Sequence, residues 1–170
     1  ELGYRLRPER YVNHLKKLLD KWPADYVILG FGLYESFAGT SGIESFKADL
    51  NGYLDEIKRR HPEAGIILLS PIATEDLNHP HYPDPARRNG EIKSYVNAMS
   101  SIAESRKIQL IDLFEFSKAQ YASHEKSLTE NGIHLNSYGH ELIADQFSRS
   151  ILGDRIYDGI DKKRIGSVAR

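Results

Sequence analysis

Three short apolar segments alternate along the chain with longer segments of helical periodicity. Ala24–Gly32 has the continuous apolar run of a strand buried on both faces, and Ala64–Pro71 is typical of a second buried strand. Ile108–Phe116 indicates a third strand together with its exit. Strands and helices that alternate in this way predict an α/β protein with a parallel sheet covered by helices on both faces.

The helical segments are indicated by apolar residues spaced three and four positions apart. The second of them should stop at His61, because Pro62 disfavours helix in the residue before it. A shorter helix is expected over Ser117–His124. The four longer stripes consist of Val12, Leu15, Leu18 and Leu19; of Phe46, Leu50, Tyr53, Leu54 and Ile57; of Ile92, Tyr95, Val96, Met99, Ile102 and Ala103; and of Leu142, Ile143, Phe147 and Ile151.

The composition narrows the class of protein. With 170 residues the chain suits one domain, which we expect over residues 1–152, followed by a charged tail over residues 153–170. The net charge of -1 argues against broad electrostatic binding of nucleic acid or anionic membranes. The absence of cysteine excludes disulfides, thiolate metal sites and a cysteine nucleophile. No apolar run is long enough to cross a bilayer, so we expect a soluble protein of cytoplasmic or extracytoplasmic location.

A glycine-rich segment, GFGLYESFAGTSG, follows the first strand. Ligand sites of open parallel sheets lie beyond the carboxyl ends of the strands, where this segment should lie. Its spacing does not match a phosphate-binding loop, but Glu35 places a carboxylate at the same edge. The alternative is a plain turn between strand and helix, with Ser41 capping the next helix.

A long polar loop, Ala73–Gly90, follows the second strand and contains HPHYPDP. His79 and His81 have the carboxylates of Glu75, Asp76 and Asp84 near them in sequence, so a zinc or manganese site is one interpretation. Two histidines in a proline-rich loop are weak evidence for a metal. We favour a lid over the substrate and predict no metal ion.

A third segment expected near this edge of the sheet is LTENGIHLNSYGHELIADQF, Leu128–Phe147. His134 comes just before Asn136, which is a good N-cap for the last helix. A histidine at the active edge of a parallel sheet suits a general base, and a neighbouring acid can fix its tautomer. The alternative is a histidine that bonds only to local backbone, and His140 is expected at the surface.

Together, YVILGFGLYES (Tyr26–Ser36) and LTENGIHLNSYGHELIA (Leu128–Ala144) resemble the third and fifth conserved blocks of the SGNH (GDSL-like) hydrolase superfamily. That superfamily comprises esterases and lipases. IILLSPI and IQLIDL resemble its next two strands. The resemblance covers roughly residues 8–152 and implies a three-layer α/β/α sandwich with a parallel, flavodoxin-like sheet.

The resemblance implies roles for residues of the fifth block. His134 stands where the family has its catalytic base, and Asn131 stands where it has the aspartate that orients this base. Asparagine carries no negative charge, and this substitution in a serine triad costs about 10⁴ in turnover. Glu130, one residue earlier, is the alternative acid.

In the third block the resemblance points to the region of the oxyanion. Gly32 matches the glycine of the block, and Tyr34 stands in place of an asparagine that donates to the oxyanion. Glu35 stands where an aspartate often follows. Tyrosine offers a hydroxyl instead of an amide, and loss of one oxyanion donor typically costs about 10²–10³ in turnover.

The family's nucleophile is the serine of a Gly-Asp-Ser block after its first strand, and no Gly-Asp-Ser occurs in the 170 residues. We expect an N-terminal segment outside the chain, or a companion chain, to supply this serine and the first strand. The resemblance then implies a serine ester hydrolase for a small acyl ester, such as an acetylated carbohydrate, without a cofactor. The alternative is a degenerate relative that binds a glycan or an acyl group. A nucleophile within the chain, at Ser36, Ser41 or Ser70, is a weaker third hypothesis.

Overall fold

The computed structural model describes residues 16–82 and 84–158. Residues 16–21 are helical, so Leu18 and Leu19 are in a helix, whereas Val12 and Leu15 of the same predicted stripe lie outside the described residues. The elements that follow are β1 (Tyr26–Gly30), a 3₁₀ helix (Glu35–Gly42), α1 (Ile43–Arg60), β2 (Gly65–Leu69), α2 (Pro85–Arg106), β3 (Gln109–Ile111), α3 (Leu113–Ser123), α4 (Ser137–Leu152) and α5 (Asp154–Asp158).

The three strands form one parallel sheet in the order β1-β2-β3. Alternate residues of β2 point to opposite faces, as the period of a strand requires. Leu68 packs into the core that α1 and α2 build on one face. Ile67 packs on the other face, where Ile143 and Phe147 of α4 lie against it. Helices thus pack on both faces of the sheet at β2, and the predicted α/β/α architecture is confirmed.

The two central helices follow their predicted stripes. Every apolar residue named above for α1 and for α2 is buried. α1 ends at Arg60, and the amide of His61 donates to the Ile57 carbonyl at 2.8 Å, so the predicted stop is confirmed. The other two stripes are weaker. Leu19 is buried whereas Leu18 is exposed, and the α4 stripe is half-buried up to Ile151, which is exposed.

β1 contradicts the prediction of a strand buried on both faces. Tyr26 and Ile28 lie on the face that carries Ile67 in β2, and they are 69% and 45% exposed. Leu29 has the opposite orientation and is buried. Among the described residues β1 pairs with β2 alone, so one edge and one face of β1 lack the cover that the prediction assumed.

Aspartates start two helices earlier than the sequence periodicity indicated. The carboxylate of Asp112 accepts hydrogen bonds from the backbone amides of Phe114 and Glu115, at 3.0 and 3.1 Å. α3 therefore begins at Leu113 and not at Ser117, because a capped amide group is satisfied at the helix start. The third strand is correspondingly shorter than predicted.

α2 also begins early, within the predicted polar loop. Its N-cap is Asp84, whose side chain accepts from backbone amides of the first turn, and Pro85 occupies the first helical position. The predicted cap at Ser41 is wrong. The Ser41 hydroxyl donates to the Ala38 carbonyl at 2.9 Å, and the N-cap position of α1 is taken by Gly42.

Candidate active site

The histidine of the last conserved segment lies in a closed turn, residues 128–136, which we call the His134 turn. Thr129 and Leu135 form an antiparallel bridge across it. Inside this bridge the Glu130 amide donates to the His134 carbonyl at 2.8 Å. Gly132 has φ +84°, a value that favours glycine. These contacts fix the backbone on both sides of the imidazole.

α4 begins directly after the turn and is tied to it. Asn136 is its N-cap, as predicted, and its side-chain oxygen accepts from the Gly139 amide at 2.9 Å. The Asn136 side-chain amide donates back to the Ser127 carbonyl at 2.7 Å. A Cβ at Gly139 would lie 2.1 Å from the Leu128 carbonyl oxygen, so only glycine allows α4 to approach this closely.

Asn131 is the residue among those described whose side chain hydrogen-bonds the imidazole of His134. Its Oδ1 accepts from the backbone amides of His134 and Ile133, at 2.9 and 3.2 Å. The same oxygen lies 3.1 Å from Nδ1 of His134, and Nδ2 of Asn131 lies 3.0 Å from that atom. The imidazole itself is exposed.

This geometry satisfies either neutral tautomer of His134. A proton on Nδ1 can be donated to Oδ1 of Asn131, and a bare Nδ1 can accept from Nδ2. A general base needs the proton on Nδ1, so that Nε2 is free to accept. Asn131 therefore orients the ring but does not select the catalytic tautomer. Glu130, the alternative acid, contributes its backbone amide to the turn.

The predicted oxyanion region lies beyond the carboxyl end of β1. The Gly32 amide donates to Oε2 of Glu35 at 2.8 Å and closes the turn. Gly32 has φ +104°, and a Cβ there would lie 3.4 Å from the ring of Pro71. Tyr34 is 49% exposed. The oxyanion role of these residues stays a prediction, and in this conformation the Gly32 amide is already bonded to Glu35.

A mainly apolar pocket of about 230 Å³ lies at this edge of the sheet, between the segments that follow β1 and β2. Tyr34 and Glu35 are among the residues that line it. Burial raises the pKa of Tyr95 in α2, and the negative charge of Glu35 adds to this effect. The lining residues are Gly30, Phe31, Leu33, Tyr34, Glu35, Ser70 and Pro71.

The serines considered as internal nucleophiles make structural hydrogen bonds. Ser36 is fully buried; its hydroxyl donates to the Leu33 carbonyl at 2.6 Å and accepts from Arg88 at 2.8 Å. Ser70 is buried too, and its hydroxyl donates to Asp112 at 3.2 Å. Arg88 is 1% exposed, and sequence periodicity gave no signal for this buried cation.

The histidine-containing loop after β2 forms a second, more open cavity of about 390 Å³. His79 stacks on Tyr82 with 4.4 Å between the ring centres, and His81 lies beside it at 5.5 Å. Across residues 16–82 and 84–158, no three histidine or carboxylate side chains come together so as to hold a metal ion. The lid function of this loop stays a prediction.

Comparison with known proteins decides the family. The model of the GDSL-like lipase/acylhydrolase family matches residues 3–142. The chain belongs to this family. A GDSL esterase/lipase of Arabidopsis thaliana is 22% identical over 116 residues, which are 64% of this chain and 48% of the relative. The chain therefore spans about half the length of the curated relative that it matches.

Solved structures with the SGNH hydrolase fold are similar to this family member. The acetyl xylan esterase AlAXEase aligns with a TM-score of 0.65 at 20% identity, over 88% of this chain and 77% of that one. A catalytic mutant of Axe2, an acetylxylan esterase from Geobacillus stearothermophilus, aligns with a TM-score of 0.60 at 22% identity. That alignment covers 85% of this chain and 64% of the other. At these identities the likeness concerns the fold.

The family is described as one of GDSL-like lipases and acylhydrolases. None of the helices in the described residues combines the length and apolar character needed to span a bilayer.

Proposed function

We propose that the protein is the base-bearing part of a serine ester hydrolase, with His134 as general base and Asn131 as the residue that orients it. The observation that carries this proposal is the Asn131–His134 contact, 3.0–3.1 Å long, in the hydrogen-bonded His134 turn just before α4. A histidine held only by local backbone would not need a side-chain partner at Nδ1.

The proposed reaction has two steps. A serine hydroxyl attacks the ester carbonyl while Nε2 of His134 takes its proton; the tetrahedral intermediate then collapses, the alcohol leaves with that proton, and an acyl-serine remains. Water attacks the acyl-serine in the second step and gives a proton to Nε2, which passes it to the departing serine oxygen, so that the carboxylic acid and free serine are released. No metal or organic cofactor takes part in this proposal.

We place the serine outside these 170 residues, in an N-terminal segment or a companion chain that also adds a strand beside β1. Three observations support this. The sequence contains no Gly-Asp-Ser, the hydroxyls of Ser36 and Ser70 are buried in structural hydrogen bonds, and among the described residues β1 pairs with β2 alone. Exposed apolar strand edges are otherwise avoided in native sheets.

For the substrate we propose a small acyl ester of a carbohydrate. The pocket of about 230 Å³ beside Tyr34 and Glu35 is small and mainly apolar, which suits a short acyl chain better than a long one. Two similar structures are described as acetylxylan esterases. The competing proposal is a degenerate relative that binds such a group without turnover. The neutral side chain of Asn131 favours it, because neither tautomer of His134 is selected.

Fluorophosphonate labelling of the protein purified from its source organism, followed by peptide mapping, tests the proposal. We expect the label on a serine in a peptide that these 170 residues do not contain. Label on Ser36, Ser41 or Ser70 would overturn the placement of the nucleophile. An unlabelled preparation that binds acetylated oligosaccharides would support the degenerate relative instead.

A further inference from the structure

Glu75, in the loop that leaves β2, holds the His134 turn. Glu75 is 7% exposed. Its carboxylate accepts from the Leu128 amide at 2.9 and 3.1 Å, from the Thr129 amide at 2.7 Å and from the Thr129 hydroxyl at 2.5 Å. The Glu75 amide in turn donates to the Gly132 carbonyl at 2.9 Å. One residue thus contacts three positions of the turn.

These contacts form a closed network. The Thr129 hydroxyl, which donates to Glu75, also accepts from the Gly132 amide at 3.0 Å. Thr129 then pairs with Leu135 across the turn, directly beside His134. A displacement of the Glu75 carboxylate would therefore be transmitted to the imidazole through one hydrogen-bonded residue and one backbone bridge.

A carboxylate is suited to this position for a chemical reason. An ionised carboxylate only accepts hydrogen bonds, and here every partner on the turn is a donor. An amide of the same shape would turn an NH₂ group toward the backbone amides of Leu128 or Thr129. At least one hydrogen bond would be lost, and a buried donor would be left without an acceptor.

We propose that Glu75 is a positioning residue for His134. It fixes the backbone that carries the base, through the turn, without touching the imidazole. Its loop also lines the pocket beside Tyr34 and Glu35, through Pro71. This inference rests on the proposed function for its relevance to catalysis, but the structural coupling can be measured without any turnover.

The test compares Glu75→Gln with Glu125→Gln by ¹⁵N NMR in the complete protein, together with the N-terminal segment or companion chain that completes its sheet. Glu125 is exposed and lies three residues before Leu128, so its variant makes the same charge change near the turn without touching the network. In Glu75→Gln we expect amide hydrogen exchange at Leu128 and Thr129 to speed up by about tenfold or more. We also expect the imidazole ¹⁵N signals of His134 to shift, while exchange in α1 stays unchanged.

Thr129→Val provides a milder second variant, because it removes the shared hydroxyl and keeps the side-chain volume. We expect it to shift the ¹⁵N signals of the His134 imidazole in the same direction. If Glu75→Gln does not fold, the signals of Thr129→Val decide the test. Unchanged His134 signals in the folded variants would overturn the proposal. So would a uniform rise in exchange across α1 and the turn, since that result describes a residue that supports global stability only.

Failure of this inference and failure of the proposed function give different results. If the His134 signals shift but no serine is labelled, Glu75 positions a residue that is not catalytic. If a serine is labelled and the signals do not shift, the hydrolase is supported and Glu75 has no positioning role.

Discussion

Replacing Asn131 with aspartate should shift His134 from a mixture of neutral tautomers to the Nδ1–H tautomer, which is the one that can act as a general base. In the natural chain Nδ1 of His134 lies 3.0 Å from the Asn131 nitrogen and 3.1 Å from its oxygen, so each tautomer makes one neutral hydrogen bond. Oδ1 is held by the amides of Ile133 and His134, and an aspartate can accept from both in the same way. The turn should therefore keep its shape in the variant.

The size of the effect follows from the two hydrogen bonds. Neutral bonds of nearly equal length contribute about 0.5–1.5 kcal/mol each, so the two tautomers should differ by less than about tenfold in population. In Asn131→Asp the Nδ1 proton meets a carboxylate, a bond worth about 1.5–3 kcal/mol, while the other tautomer meets an oxygen with no proton to donate. The ratio should move toward the Nδ1–H form by at least about tenfold, since about 1.4 kcal/mol corresponds to that factor.

Long-range ¹H–¹⁵N NMR reads the tautomer directly, with His134→Gln used to assign the signals. Asn97→Asp is the matched control, because it adds the same charge on the exposed side of α2. We expect a mixture of tautomers in the natural chain and in Asn97→Asp, and one dominant tautomer in Asn131→Asp. A natural chain already fixed in the Nδ1–H form, and unaffected by the aspartate, would refute this reasoning.

Three further predictions concern stability, measured by urea unfolding. Gly139→Ala should lower the free energy of unfolding by about 1–3 kcal/mol, because its Cβ would lie 2.1 Å from a backbone oxygen of the His134 turn. The matched Gly52→Ala has open space in α1 and should raise the free energy of unfolding by about 0.5–1 kcal/mol. Arg88→Met should cost about 2 kcal/mol or more, because it removes a buried cation that bonds a buried serine, while the exposed Arg87→Met, which shares the same glutamate partner, should cost less than about 1 kcal/mol. Burial raises the pKa of Tyr121 above its ordinary value of 10.0, so the tyrosine of the unfolded chain loses its proton at a lower pH than that of the folded chain. The free energy of unfolding should therefore fall as pH rises above about 10, and Tyr121→Phe should make this fall less steep. Equal losses in either matched pair, or an unchanged slope in Tyr121→Phe, would contradict the corresponding explanation.

The sequence predicted those parts of the fold that depend on local spacing. The stripes of α1 and α2 are periodic, and periodicity states directly which side chains face the core. The contact between Asn131 and His134 is local as well, since the two residues are three positions apart and meet within one turn. Their catalytic roles stay predictions. Asn136 was predictable as a cap for the same reason.

The parts that were missed depend on contacts between distant segments. The bonds from Glu75 to the His134 turn join residues more than fifty positions apart, and charged residues are usually exposed. Arg88 meets Ser36 across a similar distance. The exposure of Ile28 was missed for a different reason, because an apolar run does not say whether a helix packs over each face of the strand.

The central claim, that His134 is the base of an ester hydrolase, is tested most directly by acetate release from an acetylated xylo-oligosaccharide. The protein from its source organism should be compared with its His134→Gln and His140→Gln variants, since His140 is an exposed histidine of α4. We predict that His134→Gln lowers the rate by about 10²-fold or more and that His140→Gln leaves it unchanged. Equal rates in all three proteins would contradict the assignment of His134 as the base.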